Sequence, residues 1–165
     1  MSNKKRGVNL KKYLGVSIAV GLVGAIWALI AEKLGVPAWI TFIGWSIFFF
    51  AGADLNACKK SLPCIILGAF LAYVAVFTQV SLGTAGITSA FVVFLLAFIM
   101  TISQSISMFS LAPATFIGCA NYFAMGDLFY SIILTSVGLV LGIITMKISS
   151  FLDSIILKEE NINIL

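Results

Sequence analysis

The chain has 165 residues, of which 61% are hydrophobic and only 10% are charged, and its formal net charge is +4. A soluble domain has about 45–50% apolar and about 25% charged residues, so this composition excludes an ordinary soluble protein and predicts a small integral membrane protein. The positive charge does not indicate a nucleic-acid partner, because five basic residues form a block before the first apolar stretch, which is typical of a cytoplasmic flank. They are Lys4, Lys5, Arg6, Lys11 and Lys12.

Six apolar stretches follow this flank (residues 1–12) and predict an all-α membrane protein with six transmembrane helices. They cover approximately residues 13–34, 37–53, 61–82, 87–109, 111–125 and 128–150. A helix needs about 20 residues to cross a hydrocarbon core of about 30 Å, so the second and fifth stretches are short. Residues 13–150 are therefore predicted to form the membrane domain, and residues 151–165 a cytoplasmic tail at the membrane surface.

The basic residues also predict the orientation of the chain. If the N-terminus is cytoplasmic and all six stretches cross, the cytoplasmic side carries the N-terminal block, Lys59, Lys60, Lys147 and Lys158, and only Lys33 lies outside. This distribution follows the positive-inside rule and places both termini in the cytoplasm. It also favours a full crossing for the short second stretch, because a re-entrant loop would put Lys59 and Lys60 on the wrong side.

A four-residue phrase occurs twice and predicts an internal duplication. Residues 41–44 and 115–118 both read Thr-Phe-Ile-Gly, each with Pro-Ala before it and with Gly, Asp and Leu after it. The two repeats would cover about residues 13–82 and 87–150. Because each repeat would contain three crossings, an odd number, the second must be inverted relative to the first, giving a 3+3 inverted repeat with short second and fifth helices.

Asp54 and Asp127 hold equivalent positions after the two short stretches. An Asp that follows a helix-ending Gly ordinarily caps the next helix, and capping is the favoured interpretation for both. A gating or vestibule role at opposite faces of the membrane is the alternative.

The sequence contains no catalytic constellation. Histidine is absent, no carboxylate pair lies inside an apolar stretch, and neither a nucleophile motif nor a phosphate-binding glycine loop is present. We therefore expect no enzyme activity, no metal and no cofactor. Ion-coupled carriers commonly keep an ionisable residue within the membrane, and none lies near the middle of a stretch here, so a passive route for a neutral solute is favoured.

The candidate solute-binding residues are uncharged and lie mainly in the two short stretches. A buried amide without a partner costs roughly 4–8 kcal/mol on a cyclohexane scale, which makes Gln104 and Asn121 the sharpest candidates. An interhelical hydrogen bond is the alternative for each. Gly44 and Gly118 would permit close backbone approach and a local break in the helix. The full set is Thr41, Gly44, Ser46, Gln104, Thr115, Gly118, Asn121 and Tyr122.

Two functional hypotheses follow from these features. The leading one is a passive channel or facilitator for a small uncharged solute, assembled as a homo-oligomer because six short helices enclose little volume. The alternative is a membrane scaffold or accessory subunit that binds a partner through faces of small residues. Such residues recur at four-residue spacing in Ser17/Gly21/Ala25, Gly68/Ala72 and Gly138/Gly142.

The range 111–127, which reads LAPATFIGCANYFAMGD, resembles the hallmark of the YcdZ-like small bacterial inner-membrane proteins. Trp27 and the range 39–44 are also similar to that family, and the resemblance covers roughly residues 13–150. It implies a polytopic protein of the bacterial inner (cytoplasmic) membrane in contact with the lipid bilayer. The family is one of unknown function, and the resemblance brings no established substrate or catalytic residue.

Overall fold

The computed structural model describes residues 10–82 and 86–162, with side chains described for residues 13–82 and 86–155. All regular structure in these ranges is helical, which confirms the predicted all-α class. The helices are α1 (Leu10–Leu34), α2 (Ala38–Phe50), α3 (Leu55–Leu82), α4 (Ile87–Ile102), α5 (Ala112–Met125) and α6 (Leu128–Ile162). Two 3-10 turns, Ser103–Ser105 and Ser107–Phe109, connect α4 to α5.

Four helices of the described ranges are long and apolar enough to cross a membrane. Their apolar segments are Tyr13–Leu34, Leu55–Leu82, Ile87–Ser105 and Leu128–Ile155. Helices α2 and α5 have only 13 and 14 residues. At 1.5 Å per residue each is about 20 Å long, against a hydrocarbon core of about 30 Å. The chain is thus a helical membrane protein whose second and fifth helices are short, as the sequence predicts.

Three helix ends differ from the predicted boundaries. Helix α3 begins at Leu55 instead of near residue 61, and α6 continues through residue 150 to Ile162, so it includes most of the predicted tail. Helix α4 ends at Ile102, and the serines that follow bond their hydroxyls to nearby carbonyls: Ser103 Oγ donates to the Met100 oxygen at 2.8 Å. Such local side-chain bonds compete with the α-helical pattern and end the helix early.

The two equivalent aspartates both cap helices. Asp54 Oδ1 accepts a hydrogen bond from the backbone N–H of Ala57 at 2.7 Å, at the start of α3. Asp127 Oδ1 accepts one from the N–H of Tyr130 at 2.7 Å, at the start of α6. Each carboxylate thereby satisfies a backbone donor that has no partner within its helix. The capping interpretation is confirmed for both residues.

The helices form two three-helix bundles. The third helix of each half of the chain packs with the first two helices of the other half. Helix α6 packs mainly on α2 and α1, whereas α3 packs mainly on α5 and α4. One bundle therefore consists of α1, α2 and α6, around a core of Val23, Trp45 and Leu141. The other consists of α3, α4 and α5, with Leu96 and Tyr122 in its core. The bundles meet along a seam formed by α5–α6, α3–α6, α2–α5 and α2–α3 contacts, which are less extensive than the main contacts within the bundles.

The contact between α2 and α6 is a direct backbone contact at two glycines. The carbonyl oxygen of Thr135 lies against Gly44, and the carbonyl oxygen of Thr41 lies against Gly138. A Cβ atom at either glycine would overlap that oxygen. Further along, Gly142 lies against the ring of Phe48, so residue numbers rise together in the two helices and they run in the same direction.

The contact between α3 and α5 has the same form. The carbonyl oxygen of Ile65 lies against Gly118, and the carbonyl oxygen of Thr115 lies against Gly68. In the next turn the ring of Tyr73 in α3 meets that of Tyr122 in α5 edge-on, at a centroid distance of 6.1 Å. These two helices therefore also run in the same direction. Each bundle is closed by one pair of parallel helices in backbone contact.

Gly68→Ala and Gly138→Ala are expected to destabilise the protein. An added methyl group would force the paired helices apart, and overpacking of this kind costs about 1–3 kcal/mol. The free energy of unfolding, measured by titrating the purified protein with SDS in mixed micelles, checks this. Gly24→Ala is the matched control, because its added Cβ would meet only the ring of Trp45, at an ordinary contact distance of 3.6 Å. Equal effects at Gly24 and Gly138 would contradict the packing described above.

Candidate functional site

Within the described residues, the eight predicted site residues are spread over several helix contacts. Gly44 and Gly118 lie at the backbone contacts that close the two bundles. Both helices continue without interruption through these glycines, over Ala38–Phe50 and Ala112–Met125. The predicted close approach is therefore observed, and the predicted local break is wrong. The absence of a side chain allows the neighbouring helix to approach closely. It does not interrupt the hydrogen bonds of the helix that contains the glycine.

Thr41 and Thr115 are the polar residues of the two backbone contacts. Both are fully buried, and each presents its carbonyl oxygen to a glycine of the paired helix. Neither hydroxyl has a hydrogen-bond partner among the described residues. An unpaired buried hydroxyl costs about 1–3 kcal/mol by mutational measurements. Two equivalent positions in the two short helices thus hold buried hydroxyl groups without a partner among the described residues.

Asn121 forms a hydrogen bond that crosses the seam between the bundles. Its Nδ2 donates to Thr135 Oγ1 at 2.7 Å, joining α5 to α6, and both residues are buried. The Thr135 hydroxyl in turn donates to the carbonyl oxygen of Ser131 at 2.7 Å. Asn121 therefore has the interhelical partner that was the alternative interpretation of this residue.

Thr135 is not among the predicted site residues, although it connects two features of the structure. Its carbonyl oxygen contacts Gly44, and its hydroxyl accepts the bond from Asn121. A signal for it was present, because Thr135 stands three residues before Gly138. The same Thr-x-x-Gly spacing occurs in both copies of the repeated phrase. Searching for this spacing throughout the chain would have identified the residue.

The other predicted residues lie apart from this region. Tyr122 is buried and stacks on Tyr73. Ser46 is exposed, donates its hydroxyl to the Ile43 carbonyl at 2.7 Å, and faces a groove of about 400 Å³ between α1 and α2. Gln104 is half-buried in a 3-10 turn after the end of α4. It therefore does not occupy the middle of a continuous helix, as the predicted span 87–109 had required.

The buried polar residues of the described ranges are all neutral. They are Thr41, Ser61, Thr115, Asn121, Ser131, Thr135, Thr145 and Ser149. Hydroxyl and amide groups bind uncharged hydrogen-bonding molecules without the large desolvation penalty that a buried charge imposes. No three Cys, Asp or Glu side chains in the described ranges lie close enough together to hold a metal ion.

Comparisons with known proteins agree with a membrane location. The family described as "Protein of unknown function (DUF1097)" matches residues 17–152. The inner membrane protein YcdZ of Escherichia coli (strain K12) is 28% identical over 133 residues, covering 78% of this chain and 80% of the relative. The protein of the same name in Salmonella typhimurium is 29% identical over 138 residues, covering 78% and 82%. No solved structure matches the chain.

Asn121→Ala and Thr135→Val are expected to show coupled effects on stability. In a double-mutant cycle the bond between them should give a coupling energy of about 0.6 kcal/mol, the mean for interhelical hydrogen bonds in a membrane, and at most about 1.7 kcal/mol. SDS unfolding of the two single variants and the double variant measures it. Ser46→Ala combined with Thr135→Val is the control pair and should be additive. A coupling of zero for Asn121 and Thr135 would count against the bond.

Proposed function

The chain belongs to the YcdZ-like family described as "Protein of unknown function (DUF1097)", and we propose that it is a passive facilitator or channel for a small uncharged solute. The predicted family resemblance is thereby confirmed, whereas the activity is our proposal. The observation that carries it is a pair of buried hydroxyls, at Thr41 and Thr115, that have no partner within residues 13–82 and 86–155, where the buried polar groups are all neutral. Such an interior suits a molecule that forms hydrogen bonds and carries no charge.

We further propose that all six helices cross the bilayer as a 3+3 inverted repeat. In six successive crossings the second and sixth helices run one way, and the third and fifth run the other way. The parallel α2–α6 and α3–α5 pairs support this arrangement. So does α1, where Gly15 lies against Asp153 near the end of α6, because this contact makes α1 and α6 antiparallel. The glycine contacts and the two Asp caps each have a counterpart in the other half of the chain.

The seam between the bundles is the route that this arrangement favours. In transporters with inverted repeats, solute sites lie near the bilayer midplane, and one bundle rocks against the other. Here backbone contacts close each bundle, and the contacts across the seam are less extensive, although seven buried apolar residues of α2, α3, α5 and α6 also form one cluster there. The Asn121–Thr135 bond crosses that seam. A solute that competes for these groups would exchange one hydrogen bond for another as the bundles move.

A second candidate function is that of an assembly subunit, favoured by the outer face of α1. Ser17, Gly21 and Ala25 are exposed there, and nothing lies against Gly21. By contrast, Gly138 and Gly142 pack inside the chain, so they do not serve as a partner surface as the sequence suggested. We propose that this face of α1 joins copies of the chain, since small residues allow helices to approach in lipid. A scaffold without transport activity would give no solute flux.

The orientation is tested by labelling single cysteines in intact cells, in a variant whose three native cysteines are replaced. Glu32→Cys, near the end of α1, is expected to react with a membrane-impermeant maleimide added outside. Asn56→Cys, at the start of α3, is expected to react only after the inner membrane is permeabilised. Both positions are exposed, so burial does not explain a difference. Labelling of both in intact cells would contradict a full crossing by α2.

Facilitated flux is tested with the purified protein in liposomes. Light scattering should report faster equilibration than in empty liposomes for at least one of a panel of small neutral solutes, and no acceleration for ions. Thr41→Val and Thr115→Val are close in volume and remove only the hydroxyl, so they should reduce the rate several-fold while the protein stays folded. Ser46→Ala is the control and should leave the rate unchanged. Rates equal to those of empty liposomes for every solute would reject the facilitator and favour the assembly subunit.

A further inference from the structure

A cleft of about 320 Å³ opens where the turn between α2 and α3 meets α6. Phe48, Ile143 and Met146 give it an apolar floor. Asp54 and Lys147 line it with opposite charges, and both are exposed to solvent. The cleft thus combines an apolar surface with one carboxylate and one ammonium group.

The turn that carries Asp54 has an unusual backbone. Gly52 and Ala53 both have positive φ angles, of 124° and 58°. A non-glycine residue in the left-handed region costs of order 1 kcal/mol and persists where the surroundings hold it. Here the Ala53 N–H donates to the Phe48 carbonyl at 3.0 Å, and Asp54 Oδ1 caps α3. The carboxylate is therefore fixed at the cleft, and its Oδ2, which accepts a long hydrogen bond from Asn56 Nδ2 at 3.4 Å, retains capacity to accept a further one.

The position of the cleft along the membrane normal follows from α6. At 1.5 Å per residue, Lys147 lies about 30 Å along this helix from its first residue, Leu128. This distance equals the thickness of the hydrocarbon core. Asp54 comes just after the end of α2, which runs parallel to α6, and lies at the same level. The cleft therefore opens where the head groups of lipids lie, with its apolar floor directed along the spans.

Among the described residues, the opposite end of the molecule lacks this combination of groups. When α3 is aligned on α6 through their contact glycines, Phe77 takes the place of Lys147, and Tyr73 takes the place of Ile143. Tyr122, which corresponds to Phe48 in the repeated phrase, stacks edge-on against Tyr73 at 6.1 Å. The two ends share an Asp cap but differ in what surrounds it. The charged cleft is therefore not a by-product of the duplicated helix packing.

We propose that this cleft binds a zwitterionic phospholipid whose head group carries a primary ammonium, the chemistry of phosphatidylethanolamine. The phosphate bonds to Lys147, the ammonium donates to Asp54, and an acyl chain lies along Phe48, Ile143 and Met146. Bonds of this kind between ionised groups are about twice as strong as neutral ones. The phosphate of an anionic lipid could also bond to Lys147, but its negative charge would be repelled by Asp54. A trimethylammonium head group has no N–H to donate to Asp54.

Binding is measured on the full-length protein in detergent, by native mass spectrometry of lipids added at equal concentration. Phosphatidylethanolamine should bind about tenfold more tightly than phosphatidylcholine or phosphatidylglycerol, as expected for one charge-assisted hydrogen bond. Asp54→Asn should remove the preference over phosphatidylcholine and leave the fold intact, because Asn is also a good helix cap. Asp127→Asn, at the equivalent cap, should retain it. Lys147→Gln should weaken binding of both lipids.

Four outcomes would overturn the proposal. The first is equal binding of the three lipids to the wild-type protein, and the second is an unchanged preference in Asp54→Asn. The third is binding of soluble phosphoethanolamine as tightly as the lipid, which would identify the site as one for a free zwitterion. A loss of preference in Asp127→Asn equal to that in Asp54→Asn would likewise place the effect outside the cleft.

Discussion

Close approach of helix backbones is the constraint on which this structure depends. Within a bilayer the lipid tails are as apolar as the helix surfaces, so helices associate through van der Waals packing and polar contacts and gain little from the hydrophobic effect. Four glycines supply that packing, two for α2 with α6 and two for α3 with α5. Carbonyl oxygens at such short range also attract the Cα hydrogens of the facing helix. The short helices α2 and α5 are thereby held at the centre of the protein despite their limited length.

The same contacts determine where polar groups can lie. Thr41 and Thr115 present their carbonyls to a neighbouring glycine and are also fully buried, and neither hydroxyl has a partner in the part of the chain that the structure describes. Thr135 combines a backbone contact with a side-chain bond to Asn121. The charged side chains at the Asp54 turn and at Lys147 in α6 are exposed and lie outside the buried interior. Packing and polarity are thus arranged together, and the buried polar groups of the described residues are all neutral.

Local signals made part of this structure predictable. Pro, Gly and Asp beside the repeated phrase marked the ends of α2 and α5 and the caps of the helices that follow, because these preferences act over a few residues. The partners of the helices were not predictable in this way, since the pairing of α2 with α6 joins positions almost a hundred residues apart. The predicted span through Gln104 was wrong because α4 ends at Ile102, where Ser103 bonds its hydroxyl to the Met100 carbonyl. Thr135 was missed because its role depends on two neighbours from other helices.

The exchange of third helices also bears on how the protein is made. The main partner of α2 is α6, and the main partner of α3 is α5. In both cases the partner is synthesised later than the helix on which it packs. As the chain leaves the ribosome, its first half must therefore remain in the membrane with glycine-bearing surfaces uncovered until synthesis is nearly complete. Insertion and assembly are separate stages for this topology, and the last helix to be translated completes the first bundle.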